Sequence, residues 1–288
     1  MKKVRLLICV LSLVTATSCE KWDLAGAFFP ESEGVGERFS KSMEYNNANG
    51  YCLVNAESDE YRVYVFTDFH TDRTTHNLDA FVNTAVSDEA CVPVSLYLGD
   101  MVNRRGEEPR DLFFNAVSAL AQRCRLFMTP GNHDLQFGEW LGLLSRMHTF
   151  SYWFEVKCPN AKDLYICLDS ASGTLGYDQR MWLESILKEK SEQYRNITVF
   201  THTHFFKRDN SQRYSGNYPL EETYAITALF SKYGVDLVLT GHDHSMEDTM
   251  FGGVRYVTVQ ALGDDSPNPG YCICDAGDGI EVEFRQIP

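Results

Sequence analysis

Six of the eight histidines follow short apolar runs, where they stand in clusters with aspartate or asparagine. The clusters are Asp68-x-His70, Gly99-Asp100, Gly131-Asn132-His133-Asp134, His202-Thr203-His204 and Gly241-His242-x-His244. Carboxylate, amide and imidazole groups at the end of a buried strand are costly unless they bind something. A histidine that only packs in a core would be scattered over faces and elements, so the clustering favours a binding site.

Seven side chains in these clusters are candidate metal ligands: Asp68, His70, Asp100, Asn132, His202, His242 and His244. Seven donors exceed what one octahedral ion accepts alongside water, and they suit two metal ions bridged by a carboxylate. Imidazole and carboxylate ligands without thiolate indicate Mn, Fe or Zn rather than Ca or Mg alone. Two ions about 3.5 to 4 Å apart hold a hydroxide and stabilise an in-line displacement at phosphorus. We therefore expect phosphoester hydrolysis by metal-activated water.

The clusters lie at the ends of five predicted strands, which alternate with predicted helices. The strands cover residues 62–66, 93–98, 126–128, 197–200 and 235–239. The helices cover residues 76–89, 107–122, 177–192 and 220–232. This alternation predicts βαβ units with buried strands, and ligands collect at the carboxyl ends of such strands. One site can therefore gather all five clusters.

Later strands are predicted at residues 149–156, 163–168, 254–259, 271–274 and 280–284, and we expect them to extend the core into a second sheet. The fold class is thus α/β, with two sheets face to face and helices outside. We place a signal peptide at 1–18, a tether and irregular lead-in at 19–50, and one domain at 51–288.

In this order, the five clusters resemble the five motifs of the calcineurin-like metallophosphoesterases. The resemblance runs from about Arg62 to at least His244. A single pair such as Gly-Asp carries little information, whereas all five motifs in order are specific. The stretch Leu168-Asp169-Ser170, followed by Asp178-Gln179-x-x-Trp182-Leu183, is similar to a strand and helix that many members carry between their third and fourth motifs. The resemblance implies the four-layer αββα fold of that family.

The resemblance also implies a role for each residue. One metal ion would be held by Asp68, His70 and His244, the other by Asn132, His202 and His242, with Asp100 bridging them. His133 would not bind metal; it would lie near the leaving-group oxygen and stabilise or protonate it. Its neighbour Asp134 would orient His133 and raise its basicity.

The fourth motif departs from the family pattern, in which proline often follows the histidine. Here the chain reads His202-Thr203-His204-Phe205. We assign His202 as the ligand because it comes first after the apolar strand. Alternation along an extended chain aims both histidines the same way, so His204 stays open as the alternative ligand or as a substrate contact.

Arg104 follows the second motif, beside Asn103 and Arg105, and is a candidate contact for a substrate phosphate. The alternative is a pair of solvated arginines that bind Glu107 or Glu108. Residues 205–218 are polar and predict a loop beside the mouth of the site, of the kind that sets substrate choice.

The formal net charge of −14 argues against a nucleic-acid partner, because nonspecific nucleic-acid binding relies on lysine and arginine. We expect a small phosphoester substrate, and the motif set is compatible with phosphomonoesters, phosphodiesters and pyrophosphate-linked nucleotides. The oligomeric state is also left open. Two alternative functions remain: a metal-binding surface lipoprotein without turnover, and a single-metal hydrolase of amide or ester bonds.

The first residues follow the order of a secretory signal, with Lys2, Lys3 and Arg5 before an apolar run at 6–14 and small residues before Cys19. A cysteine directly after Ala-Thr-Ser resembles a bacterial lipobox, in which that cysteine is acylated and becomes the mature N-terminus. Ala16 stands where leucine is usual, and an ordinary cleaved signal is the alternative. We expect an exported periplasmic or cell-surface lipoprotein of a bacterium, bound to the membrane through this anchor only.

Seven cysteines remain beyond the two near the N-terminus. An odd number cannot pair fully within one chain, and the spacings do not form a zinc-ribbon pattern. Cys158 and Cys167 flank adjacent predicted strands, so a disulfide between them is one expectation. Cys272 and Cys274 share a strand face and are expected to be buried rather than bridged.

Overall fold

Two β-sheets carry the part of the chain that the computed structural model describes, residues 34–207 and 213–287. The first sheet has five strands, in the spatial order β12 (Ile280–Gln286), β11 (Gly270–Ala276), β2 (Tyr61–Phe66), β3 (Val94–Tyr97) and β4 (Arg125–Met128). The second has seven, in the order β1 (Cys52–Asn55), β5 (Tyr152–Lys157), β6 (Lys162–Cys167), β7 (Ile197–Phe200), β8 (Leu237–Thr240), β10 (Val254–Thr258) and β9 (Glu247–Phe251). Both sheets mix parallel and antiparallel pairs.

Helices cover the outer face of each sheet. The first sheet is covered by α2 (His76–Ser87), α3 (Glu107–Ala116), α4 (Ser118–Arg123) and α5 (Trp140–Met147). Beside the second sheet lie α1 (Val35–Asn49), α6 (Gly176–Lys190) and α7 (Leu220–Lys232). Two 3-10 helices span His133–Gly138 and Ser191–Gln193.

Three apolar cores hold these layers together. Between the sheets, Phe127 of β4 stacks on Phe154 of β5 with ring centroids 3.6 Å apart. A second core lies under α2 to α5, and a third is formed where Leu183 of α6 and Ile226 of α7 pack on the second sheet. Each sheet is therefore buried on both faces, as its nearly continuous apolar strands require. The predicted α/β sandwich with four layers is confirmed.

The allocation of strands to sheets differs from the prediction. The later strands were expected to share a second sheet, but β11 and β12 belong to the first, where β11 pairs antiparallel with β2 and places Cys272 opposite Val65. Six of the seven residues of β11 are buried, so this strand needs a neighbour on each side, and β2 and β12 provide them. The five strands that end in polar clusters are consequently divided: β2, β3 and β4 lie in one sheet, and β7 and β8 in the other.

The stretch before Tyr51 was predicted to be irregular, and for its second half this was wrong. Helix α1 occupies it and buries Arg38, Phe39 and Ser42. Phe39 packs edge-on against Trp182, while the Arg38 guanidinium binds Asp169 at 2.6 and 3.2 Å. The buried stripe contains an arginine and a serine, which hide the apolar period that marks most amphipathic helices.

Several element boundaries also differ from the prediction. The predicted helix at 107–122 is two helices, α3 and α4, separated at Val117. Strands β1 and β9 and helix α5 were not predicted. Within residues 34–207 and 213–287, no helix combines the length and apolar character that a bilayer crossing needs. The predicted signal peptide and Cys19 lie outside the described residues.

The expected disulfide between Cys158 and Cys167 was wrong. Cys158 lies at the turn between β5 and β6, where its N–H donates to the Ala161 carbonyl, whereas Cys167 ends β6 opposite Tyr152. The length of β6, roughly 17 to 20 Å, separates them, which is too far for a bond. All seven cysteines in the described part of the chain are free thiols, and Cys272 and Cys274 are buried as predicted.

Candidate metal centre

The loops that follow the strands hold their polar residues in an uncommon backbone conformation. Positive φ angles of 50° to 71° occur at five of the seven candidate ligands: Asp68, His70, Asp100, His242 and His244. Among the described non-glycine residues only His148 shares this feature. Left-handed backbone is unfavourable for residues with a Cβ and persists where the surrounding structure enforces it, which is typical of functional sites.

Two glycines of the motifs allow these loops to approach one another. A Cβ at Gly131 would collide with the Asp100 carboxylate, and a Cβ at Gly241 would collide with the Thr67 hydroxyl and the Asp68 carboxylate. Any side chain at either position would therefore separate the loops from which the ligands project.

Asp68, His70 and His244 form the outer ligand group, named for the 51% exposure of the His244 side chain. Nε2 of His70 lies 3.0 Å from Nε2 of His244, and Oδ1 of Asp68 lies 3.8 and 3.3 Å from these two nitrogens. The other Asp68 oxygen, Oδ2, accepts hydrogen bonds from the Thr67 hydroxyl and from the His242 N–H.

Asn132, His202 and His242 form the inner ligand group. Oδ1 of Asn132 lies 3.0 Å from Nε2 of His202 and 2.9 Å from Nδ1 of His242, and the two imidazole nitrogens are 3.2 Å apart. Nδ1 of His202 lies 2.8 Å from the Leu98 carbonyl, which assigns a proton to that nitrogen and leaves Nε2 as the atom that can bind metal. The His202 side chain is fully buried.

Asp100 belongs to both groups. Its Oδ2 lies 3.4 Å from Nε2 of His202 in the inner group and 3.8 Å from Nε2 of His70 in the outer group. Its Oδ1 accepts the backbone N–H of His133 at 2.8 Å. One carboxylate thus joins the two ligand groups.

The arrangement fits bound metal ions on two grounds. Oδ1 of Asp68 is fully buried and has no hydrogen-bond partner among the described residues, which is costly for a carboxylate oxygen. Imidazole nitrogens face each other at 3.0 and 3.2 Å, so a proton or a metal ion must lie between lone pairs that would otherwise repel. The donors, imidazole, carboxylate and one amide oxygen, suit Mn, Fe or Zn.

The charges of the site favour ionised carboxylates. Burial raises the pKa of Asp68, but the close approach of His244 at 3.3 Å and the charge of His202 lower it overall, to about 2. Burial also opposes ionisation of Asp100, yet its histidine neighbours hold its pKa well below the usual range. Burial lowers the pKa of His202, whereas the two carboxylates raise it, to about 9. A cation in the centre would meet two carboxylates that are already charged.

A sequence model of the calcineurin-like phosphoesterases matches residues 61–246, which include every candidate ligand. The chain belongs to this family. It is accordingly a metal-dependent phosphoesterase, and its ordered motifs and its sandwich fold are those of a calcineurin-like enzyme. A search of the curated proteins finds no match to the sequence.

Solved structures share the fold at low sequence identity. A dimetal phosphatase from Danio rerio has a TM-score of 0.59 at 14% identity, and the match covers 79% of this chain and 99% of that one. Purple acid phosphatase PPD1 from yellow lupin has a TM-score of 0.62 at 14% identity, covering 80% and 52% of the two chains. GAP50, the anchor in the inner membrane complex of Plasmodium, has a TM-score of 0.62 at 15% identity, covering 79% and 84%.

In this calcineurin-like enzyme, His133 borders the outer ligand group. Its ring meets that of His70 edge-on, with centroids 4.8 Å apart, and its Nδ1 is buried without a hydrogen-bond partner among the described residues. His70, Asp100 and His133 also bring ligand atoms within 4.8 Å of one another. The predicted role of His133 at the leaving group remains a prediction.

Asp134 was expected to orient His133, but its carboxylate contacts backbone N–H groups instead of the His133 side chain. Its buried carboxylate accepts backbone N–H groups of Gly131, Asp100, Met101 and Val102 at 2.8 to 3.3 Å. Burial and the charge of Asp100 raise the pKa of Asp134 to about 7. Asp134 therefore ties the loop after β3 to the loop after β4, and it is a positioning residue for Asp100.

His204 borders the inner ligand group. Its ring centroid is 5.5 Å from that of His242, and it belongs to none of the ligand clusters found among the described residues, whereas His202 does. The geometry favours His202 as the ligand.

The side chain of Arg104 is engaged by acidic residues. Its Nε donates to Asp72 at 2.6 Å, and its Nη2 donates to the Asp72 carbonyl and, at 3.4 Å, to Glu108. These contacts match the alternative of a solvated arginine, with Asp72 as an unforeseen partner. A contact between Arg104 and substrate remains a prediction.

Three residues beside the centre had no predicted role. Thr67 holds Asp68, while Asp243 and Asn217 lie next to His204. The positions of two of them could have marked them in the sequence: Asp243 is the middle residue of His242-x-His244, and Thr67 directly precedes the first motif. Asn217 lies in a predicted loop, and no sequence pattern marks it.

Proposed function

We propose that this enzyme hydrolyses phosphomonoesters or phosphodiesters with two metal ions and a bridging hydroxide. The observation that carries the proposal is the position of Asp100, whose carboxylate lies 3.4 Å from His202 and 3.8 Å from His70 and so serves both ligand groups. A single metal ion would not need a carboxylate shared between two sets of donors. Mn, Fe or Zn is the expected occupant.

When bound, two such ions supply a nucleophilic hydroxide at neutral pH and neutralise charge on the phosphoryl oxygens. The chain itself orients the donors before substrate arrives. The Leu98 carbonyl fixes the His202 ring, and the Thr67 hydroxyl turns one oxygen of Asp68 away so that the other faces the outer histidines. Pre-organised polar groups of this kind cost no reorganisation at the moment of reaction.

We further propose that His133 stabilises the leaving-group oxygen or protonates it. Its ring borders His70 at the rim of the outer group, and its backbone N–H holds Asp100. Asp134 keeps the loop carrying Asp100 in place through backbone hydrogen bonds. A general acid in hydrogen-bond reach of the leaving oxygen contributes most where the leaving group is poor.

The proposal is tested by hydrolysis of p-nitrophenyl phosphate and bis-p-nitrophenyl phosphate after Mn, Fe, Zn or Mg is added to metal-stripped protein. We expect activity that needs a transition metal and falls about a thousandfold in Asp100→Ala. Asp278→Asn, which removes one exposed surface charge in the turn between β11 and β12, is the control and keeps wild-type activity. Two bound metals with no hydrolysis of either ester would contradict the proposal.

A second candidate function is a metal-binding surface lipoprotein without turnover. The observation in its favour is the structural similarity to GAP50, a protein that has this fold and is the anchor in the inner membrane complex of Plasmodium. Against it, all seven candidate ligands and His133 are present, and a decayed site would be expected to have lost some of them. The same assay separates the two candidate functions, because a metal-binding lipoprotein without turnover would bind metal and hydrolyse neither ester.

For location, we propose an exported bacterial lipoprotein acylated at Cys19. The order of basic, apolar and small residues before Cys19 supports this. Labelling with palmitate should depend on Cys19, and incorporation that persists in Cys19→Ala, or none at all, would overturn the assignment.

A further inference from the structure

His204 is a buried imidazole that the proposed chemistry does not use. Its Nε2 lies 3.9 Å from Oδ1 of Asp243, beyond hydrogen-bond distance. The Asn217 amide nitrogen lies 3.4 Å from both ring nitrogens, a position over the ring rather than in its plane. Among the described residues, no short in-plane hydrogen bond therefore satisfies this ring, although it borders the inner ligand group.

Asp243 adds a negative charge to the same place. It stands between His242 and His244, which belong to different ligand groups, and its side chain is 26% exposed. Its Oδ2 accepts the Ser245 hydroxyl at 2.7 Å, which leaves Oδ1 directed toward His204. A fixed, partly exposed carboxylate consequently lies beside His204, next to the inner ligand group, without belonging to a ligand cluster.

The residues that border the two ligand groups differ in charge and in the chemical groups they present. His133 borders the outer group. His204, Asn217 and Asp243 lie beside the inner group, and we name these three residues the acidic flank. A phosphoryl group held between them would place its leaving group toward His133 and its remaining substituents toward the acidic flank.

Resting on the proposed function, we propose that the acidic flank makes this enzyme selective for phosphodiesters. A phosphomonoester carries a second negative charge near neutral pH, since the second pKa of such phosphates is about 6. Placed beside Asp243, that charge is repelled, whereas a diester presents a neutral ester group there. His204 and Asn217 offer N–H groups to an oxygen of the retained substituent.

The test compares kcat/KM for bis-p-nitrophenyl phosphate with kcat/KM for p-nitrophenyl phosphate. We expect the wild type to favour the diester, and Asp243→Asn to raise monoester turnover about tenfold while leaving diester turnover within about twofold. Asp243→Glu retains the charge and should retain the preference. Asp278→Asn removes a charge far from the site and should change neither value.

A binding measurement provides a readout apart from turnover. Calorimetric titration of the metal-loaded protein with inorganic phosphate and with dimethyl phosphate should show that Asp243→Asn strengthens binding of phosphate about tenfold and leaves binding of dimethyl phosphate unchanged. Metal content measured on the same samples shows whether the ligand groups are intact.

The possible outcomes distinguish a failure of diester selectivity from a failure of the proposed function. A wild type that prefers the monoester, or an Asp243→Asn variant that changes both substrates equally with full metal content, would overturn diester selectivity and leave the phosphoesterase in place. No hydrolysis of either ester by wild type would instead overturn the proposed function.

Discussion

The inner and outer ligand groups use similar donors but are built differently. In the inner group, His202 is fully buried and its ring is held by the Leu98 carbonyl. In the outer group, the side chain of His244 is 51% exposed, and His244 itself has a left-handed backbone with φ of 55°. The inner group is held by packing as well as by metal, whereas the outer group relies more on the metal itself.

The side chains of the two groups are therefore ordered at different stages, those of the inner group on folding and those of the outer group on metal binding. A buried imidazole with one nitrogen fixed loses little freedom when it binds an ion, while an exposed one must be ordered at that moment. We expect the inner metal to bind more tightly and to exchange more slowly than the outer one. Asp100, which serves both groups, couples the two.

Apart from the seven candidate ligands, the residue whose replacement we expect to slow turnover most is His133, which borders the outer group. His133→Ala should slow hydrolysis of a methyl phosphate ester, a poor leaving group, about a hundredfold and that of a p-nitrophenyl ester far less. Kinetics on a series of leaving groups checks this. An equal loss across the series would show that His133 acts on something other than the leaving oxygen.

Removing a histidine from each group should separate packing from metal binding. His202→Ala leaves the buried Leu98 carbonyl unpaired, so metal-stripped protein should lose about 1 to 3 kcal/mol of unfolding free energy. His244→Ala should leave the stability of metal-stripped protein nearly unchanged, although each variant loses one bound metal ion. Denaturant unfolding with metal analysis measures both, and equal destabilisation would contradict the comparison.

The inner group should also load metal in a pH-dependent way. His202, whose pKa is raised to about 9 chiefly by its carboxylate neighbours against the effect of burial, holds a proton at pH 7 that a metal ion must displace. Affinity of the inner group should therefore rise about tenfold for each pH unit from 7 to 9 and level off above 9. Titration with Zn at several pH values measures this affinity, and an affinity that does not change with pH would show that the proton is absent.

The smallest expected effect lies outside both groups. Arg104 is an exposed side chain paired with Asp72 and Glu108, and exposed ion pairs contribute little. Arg104→Gln should change KM less than about threefold. A larger rise in KM at constant kcat would instead support Arg104 as a contact for the substrate phosphate.

The sequence was sufficient to predict that the candidate ligands lie close together, because each stands at the end of an apolar run and parallel strands bring such ends together. It could not assign the strands to sheets. The pairing of β11 with β2 joins residues more than two hundred positions apart, and no local period encodes it. The site consequently crosses from one sheet to the other.

The contacts of individual site residues were harder to predict than their presence. Asp134 follows His133 in the chain, which suggested a contact between their side chains, yet its carboxylate binds backbone N–H groups of two loops. Helix α1 was missed because Arg38 and Ser42 interrupt its apolar stripe. In both cases the partner is distant in sequence or lies in the backbone, where side-chain patterns carry no signal.

The central claim is that two metal ions, joined by Asp100, are needed for turnover. It is tested most directly by adding Mn or Zn in steps to metal-stripped protein and following both bound metal and hydrolysis of bis-p-nitrophenyl phosphate. We expect little activity while the first equivalent of metal fills the inner group, and a rise in activity with the second equivalent. Full activity at one equivalent would contradict it and would indicate a single-metal hydrolase.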